Sequence, residues 1–174
     1  MPKESVSLAE KEQLAKQRLH ALLDEHPPSR VCVAWTGGKD STVVLWLWIK
    51  AMETSSFPNA HPRALRLKTG LEFPEVLEFC RNIARQWEIE ERLATPGSGR
   101  MPRDPGADPV SCCGSLKIEP LRREVRENQV EVLLTGLRGD EHPDRVRSLR
   151  EQRRDPDYLQ VNPILEWTEM DIWS

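Results

Sequence analysis

A chain of 174 residues can bury roughly 70% of its unfolded surface in one domain, so neither a metal nor a disulfide is needed to hold a core together. A formal net charge of −3 and an isoelectric point near 5.9 argue against nucleic-acid binding through bulk charge and leave small anions open as ligands. The longest apolar run, Val43–Ile49, is far short of a membrane span, Met1–Gln13 lacks the apolar core of a signal peptide, and four cysteines form no secreted-type framework. The expectation is a cytoplasmic protein with no membrane partner, its thiols reduced or ligating a metal.

In chain order, Ser7 and Glu10 have capping-box spacing, and Ala15, Leu19, Leu22 and Leu23 recur on one helical face until Pro27-Pro28 ends the segment. Residues 1–28 therefore read as an N-terminal helix packed on the domain formed by 29–174, with a dimerising role as the alternative. A strand near Val31–Trp35 follows, then a glycine loop, then a helix from about Ser41 to Met52. Because Val43–Ile49 is apolar on every face, only the loop before it decides for helix. Ala64–Thr69 reads as a second strand, Gly70 as a turn and Pro74 as a first helical turn, with Val76, Phe79, Cys80, Ile83, Ala84 and Trp87 along one helix face. A short strand around Glu88–Ala94 comes next. Thr95–Pro109, with four prolines and three glycines, is a loop. Ser111–Asn128 is helical with a break at Pro120, Val130–Thr135 is a strand, Gly136–Asp157 is polar, Tyr158–Pro163 is a last strand, and Thr168–Trp173 opens a helix.

Strands alternating with helices at this spacing specify an α/β doubly wound, mostly parallel sheet with helices on both faces. Such sheets bind ligands beyond the carboxyl ends of their strands. Three turns, at the glycine loop, Thr69-Gly70 and Gly136, each follow a predicted strand and converge on that edge.

The stretch Trp35-Thr36-Gly37-Gly38-Lys39-Asp40-Ser41 carries the chemistry. Two glycines let the backbone approach an anion, the following helix adds free N–H donors and a positive dipole end, and Lys39 adds a mobile cation. The spacing is not that of a Walker A loop. The plainer reading makes Asp40 and Ser41 helix caps and Lys39 a surface charge. Six arginines between Gly136 and Asp157 could clamp an anion, but six carboxylates in the same stretch match them as on a solvated surface.

Thr36–Ser41 resembles the S-G-G-K-D-S loop of the PP-loop ATP pyrophosphatases, or adenine nucleotide alpha hydrolases. The blocks Thr69–Glu75, Cys112–Arg123, Thr135–Glu141 and Asn162–Glu169, in that order, resemble the successive motifs of the phosphoadenosine phosphosulfate (PAPS) reductase family. That family includes adenylylsulfate (APS) reductases and the small subunit of sulfate adenylyltransferase. The resemblance implies an enzyme of sulfur metabolism acting at the α-phosphate or phosphosulfate of ATP, APS or PAPS. It implies nucleotide binding by Thr36, Gly37, Gly38, Lys39, Asp40, Ser41, Thr69, Gly70, Gly136, Arg138 and Arg145, with Lys39 and Arg138 catalytic and Mg²⁺ accompanying ATP at Asp40.

Cys112 and Cys113 can supply two ligands to a [4Fe–4S] cluster, which normally takes four. The C-x-x-C and E-C-G-L-H elements of APS reductases do not occur before Ser174. The expectation is that the chain lacks the family's C-terminal segment and holds no cluster without ligands from elsewhere. A second departure is Lys68, where the family usually has aspartate. The intact Gly37-Gly38-Lys39-Asp40-Ser41 favours cleavage of ATP between its α and β phosphates. Sulfate adenylylation with a partner subunit, sulfonucleotide reduction with a redox donor, sulfur transfer to a nucleic acid or small molecule, and a non-catalytic nucleotide-binding module are the competing readings. A homo-oligomer is compatible with all of them.

Overall fold

The computed structural model describes residues 6–97, 112–141, 151–154 and 158–174. Helix α1 (Leu8–Glu25) starts at the expected capping box: Ser7 Oγ accepts from the Glu10 amide at 3.3 Å, and the Glu10 carboxylate accepts from the Ser7 amide at 2.8 Å. Its buried face, Ala15, Leu19, Leu22 and Leu23, is the predicted stripe. Its principal neighbour is the helix after the glycine loop rather than the sheet.

Strand β1 (Val31–Ala34) leads into that helix, α2 (Lys39–Glu53). α2 begins at Lys39, two residues before the predicted start, because the C-terminal half of the loop motif, Lys39–Ser41, is itself the first helical turn. Lying between the sheet and α1, it buries Val44, Leu45, Leu47, Trp48, Ala51 and Met52, which accounts for an apolar run without a polar face. Strand β2 (Arg63–Leu67), α3 (Pro74–Gln86, with Pro74 in its first turn) and the exposed strand β3 (Glu90–Ala94) follow.

A π-helical turn, Gly114–Ile118, runs into α4 (Glu119–Glu127). Pro120 explains the expected break: it has no N–H for the Leu116 carbonyl and its ring crowds that carbonyl, so the turn before it widens and Glu119 N–H bonds back to Gly114. Strand β4 (Val132–Leu134), a 3₁₀ turn (Gly139–Glu141), strands β5 (Glu151–Arg154) and β6 (Tyr158–Val161), and α5 (Glu169–Trp173) complete the described fold. Thr168 and Asp171 form a second capping box at the start of α5.

The six strands run in the order β3-β2-β1-β4-β6-β5, parallel except for β5 against β6. The doubly wound expectation holds, with β5 as a strand the sequence reading did not contain. It falls in the polar stretch, and its charges suit a sheet edge. Side chains alternate across the sheet: Val31, Val33, Val132 and Leu134 join the core beneath α1, α2 and α3, whereas Cys32 and Leu133 join Leu65, Val125 and Tyr158 on the α4 face. Strand order reverses between β1 and β4, which places the switch point at the glycine loop. Most of the proline-rich loop and Arg145 lie outside the described residues. Among those described, no helix is long and apolar enough to cross a membrane.

Candidate nucleotide-phosphate site

The glycine loop is held in shape by the two elements it touches. Gly37 has φ +79°, and a Cβ on it would lie 2.6 Å from Cys80 Sγ and 2.9 Å from Val76 on α3. Gly38 is the N-cap of α2 and offers no side-chain acceptor, so no side chain caps the first-turn amides. Gly136 is needed for a different reason. A Cβ there would lie 2.7 Å from Ser41 N and 2.8 Å from the Asp40 carbonyl carbon, so the turn after β4 seats directly against the backbone at the start of α2.

Ser41 points inward. Its hydroxyl accepts from the Thr36 amide at 3.2 Å and donates to the Gly38 carbonyl at 3.0 Å, knitting the loop instead of facing a ligand. Trp35, the aromatic nearest the loop in sequence, is fully buried and donates from Nε1 to Thr42 Oγ1 at 3.1 Å. It is a core residue. The remaining loop groups, Thr36 and Gly38 exposed and Gly37, Lys39 and Asp40 half-buried, form the accessible rim.

Arg138 sits behind this rim, only 3% exposed, and acts as a three-way brace. It donates from Nη1 to Asp40 Oδ1 at 2.8 Å, from Nε to Asp140 Oδ1 at 3.0 Å and from Nη2 to Glu169 Oε2 at 2.7 Å. Burial alone would lower its pKa, but the Glu169 hydrogen bond and then the charges of Asp40, Asp140 and Glu169 outweigh it and raise it. Lys39 Nζ lies 3.1 Å from Asp40 Oδ2 and 3.2 Å from Glu169 Oε2, and hydrogen bonds to Asp40 first and Glu169 second raise its pKa. Trp173 Nε1 donates to Glu169 Oε1 at 2.9 Å. That bond, then the one from Arg138, with Lys39 adding to them, brings the Glu169 pKa down to about 2 despite some opposing burial.

The Thr69-Gly70 turn is also occupied by a carboxylate. Glu72 accepts from Thr69 N at 2.6 Å, Thr69 Oγ1 at 2.8 Å and Gly70 N at 3.1 Å, while Gly70 has φ +84°. Burial works to raise the Glu72 pKa, but the bonds from Thr69 and Gly70 together hold it below the usual carboxylate range. Lys68, on the exposed surface, donates its amide to the Ala94 carbonyl.

The structure therefore brings Lys39, Asp40, Gly136 and Arg138 together around the start of α2. Sequence reasoning missed Asp140, Glu169 and Trp173, which complete the cluster. Glu169 was visible only as the last residue of the Asn162–Glu169 block. Cys112 and Cys113 lie at the start of the helical segment that leads into α4, half-buried and exposed, whereas Cys32 and Cys80 are buried in the two separate cores. Two thiols at the surface and one in each core do not fit a four-thiolate set, and no cluster of metal-binding side chains occurs among the described residues.

A glycine loop with an uncapped helix start, at the switch point of a mostly parallel doubly wound sheet, defines a nucleotide-binding α/β domain of the PP-loop kind. The chain belongs to the phosphoadenosine phosphosulfate reductase family, whose reductase domain matches residues 30–174. A phosphoadenosine 5'-phosphosulfate reductase of Xylella fastidiosa (strain M12) is 30% identical over 159 residues, covering 86% of this chain and 64% of that protein. Sulfate adenylyltransferase subunit 2 of Agrobacterium fabrum is 28% identical over 166 residues, covering 78% of this chain and 50% of that one. Among solved structures, Candida glabrata FMN adenylyltransferase, in complex with FAD and inorganic pyrophosphate, superposes with a TM-score of 0.73 at 16% identity, over 100% of this chain and 59% of that chain, a likeness of fold. The chain thus spans less than two thirds of the length of each of these proteins.

Proposed function

We propose that this domain binds an adenine nucleotide with its phosphates at Gly37–Ser41 and acts at the α-phosphate of ATP, or at the phosphosulfate of APS or PAPS, in sulfur metabolism. The observation that carries the reading is the start of α2: a side-chain-free N-cap at Gly38, first-turn amides open to an anion, and Lys39 beside them, all at the end of the central strand. In the ATP reaction an acceptor oxygen forms a bond to the α-phosphorus while the bond to the bridging oxygen breaks, and pyrophosphate leaves. Negative charge grows on the α-phosphoryl oxygens, which the loop amides and Lys39 stabilise. Arg138 serves this step as a positioning residue, since its bonds fix Asp40 and the turn after β4 against the loop. Mg²⁺, a hard cation suited to phosphate and carboxylate oxygens, would be met by Asp40 through Oδ2 once Lys39 turns from it to the phosphates.

The test is pyrophosphate release from Mg·ATP, with sulfate and with other acceptors, by the wild type and Lys39→Ala. Release that depends on Lys39 supports ATP cleavage and the acceptor identifies the reaction. Tight APS or PAPS binding without ATP turnover moves the assignment to sulfonucleotide reduction, the reading favoured by the surface thiols Cys112 and Cys113. Failure to bind any adenine nucleotide sinks the proposal.

A further inference from the structure

The Glu169 side chain does what a ligand's phosphate oxygen would do. One oxygen takes the Arg138 Nη2 donor at 2.7 Å and lies 3.2 Å from Lys39 Nζ, and the other takes the Trp173 indole N–H at 2.9 Å. Among the described residues, the ion pairs of the cluster set two cations, Lys39 and Arg138, against three carboxylates, Asp40, Asp140 and Glu169. With Glu169 in place, the cations are already neutralised and an incoming anion meets net negative charge.

We infer that Glu169 is a specificity-determining residue of the loop, an internal anion that a ligand must displace from Lys39 and Arg138. The inference rests on the reading that phosphates bind at Gly37–Ser41. Of the three carboxylates, Glu169 is the one placed to leave: its side chain is 50% exposed, against 18% for Asp40 and 35% for Asp140. The helix that carries it need not move. The Glu169 amide is held by Asp140 Oδ2 at 2.8 Å, and Asp171 pairs with Lys11 on α1 at 2.5 Å, so a side-chain rotation uncovers the cations while α5 stays docked. A free divalent anion such as sulfate reaches the loop amides and the two cations with a single charged group. A nucleotide polyphosphate spans them with several charged groups and adds contacts to its nucleoside, so the device selects for polyphosphate esters against free small anions.

Calorimetric titration of the full chain with metal-free inorganic pyrophosphate, and separately with sulfate, tests this in the wild type, Glu169→Gln, Trp173→Phe and Lys39→Ala. Replacing the charge while keeping the shape is expected to tighten pyrophosphate binding by about tenfold and to make sulfate binding detectable. Trp173→Phe leaves every charge in place and removes only the indole donor, so a smaller gain in the same direction is expected. Unchanged or weaker pyrophosphate binding in Glu169→Gln, with Lys39→Ala still abolishing it, overturns the inference and leaves the loop assignment standing. Binding of either anion that survives Lys39→Ala undiminished, or no binding by the wild type and Glu169→Gln alike, overturns both.

Discussion

The Arg138 guanidinium donates to the Asp40 carboxylate at 2.8 Å and so ties the turn after β4 to the first turn of α2. Replacing Arg138 with alanine removes the buried member of the network and leaves three partly solvated carboxylates facing one another. The partners can rehydrate, so the cost is expected to be about 1–3 kcal/mol, read as a lowered midpoint of thermal or urea unfolding. Arg138→Lys is expected to recover little of it, because an ammonium cannot present the planar fork that serves three acceptors at once.

Gly136→Ala and Gly37→Ala separate two reasons for a glycine. At Gly136 the new methyl meets backbone at Ser41 and Asp40, which cannot swing aside, so the start of α2 must shift. A loss of about 1–3 kcal/mol is expected, together with weakened nucleotide binding. At Gly37 the positive φ itself is costly, by about 1–3 kcal/mol, and the clash with Cys80 and Val76 adds to it. Chemical denaturation beside a nucleotide titration measures both effects. An alanine at either position that leaves stability and binding untouched would contradict the close packing described.

Acid should break the side-chain contacts of Glu169. The Glu169 carboxyl titrates at about 2 in the folded protein against an ordinary value of 4.5, so its contribution is full above pH 4.5 and is lost as pH falls toward about 2. Trp173 reports on this directly through its bond to Glu169. The difference in fluorescence between the wild type and Trp173→Phe is expected to hold steady at neutral pH and to change within that acid window. A change centred between pH 5 and 7 would contradict the contact.

Thiol reactivity should divide the four cysteines two and two. Burial pushes the Cys32 thiol up to about 12 and raises Cys80 as well, and both are enclosed in the cores. Cys112 is half-buried and Cys113 exposed. Alkylation of the native protein followed by peptide mass analysis is expected to mark Cys112 and Cys113 only, with Cys32 and Cys80 marked after denaturation.

Much of this architecture can be read from local patterns. Ser7 with Glu10, Pro74, the short apolar strand runs and the glycine loop each express a short-range rule, and the structure follows them. Cys80 as a small core residue follows from its place on an apolar helix face. What escaped the reading depends on long-range pairing. Strand β5 is charge-rich, and it becomes a strand because β6 offers it an edge. Arg138 is picked out by its motif, but its burial and its three acceptors are not. Glu169 looks like a solvated acid on a short polar helix, and only the docking of α5 over the loop gives it its place.

β1 supplies the glycine loop, and it pairs with β4 through Val31 opposite Val132. The loop is therefore contiguous in sequence but completed by partners a hundred residues away: Gly136 as its floor and Arg138 as its tie. A fragment ending before β4 would contain every residue of the phosphate motif and still lack the surface that shapes it. Ligand affinity and global stability are consequently one linked quantity, and a saturating nucleotide at a hundredfold excess over its Kd should add about 2.7 kcal/mol to the unfolding free energy of the whole domain.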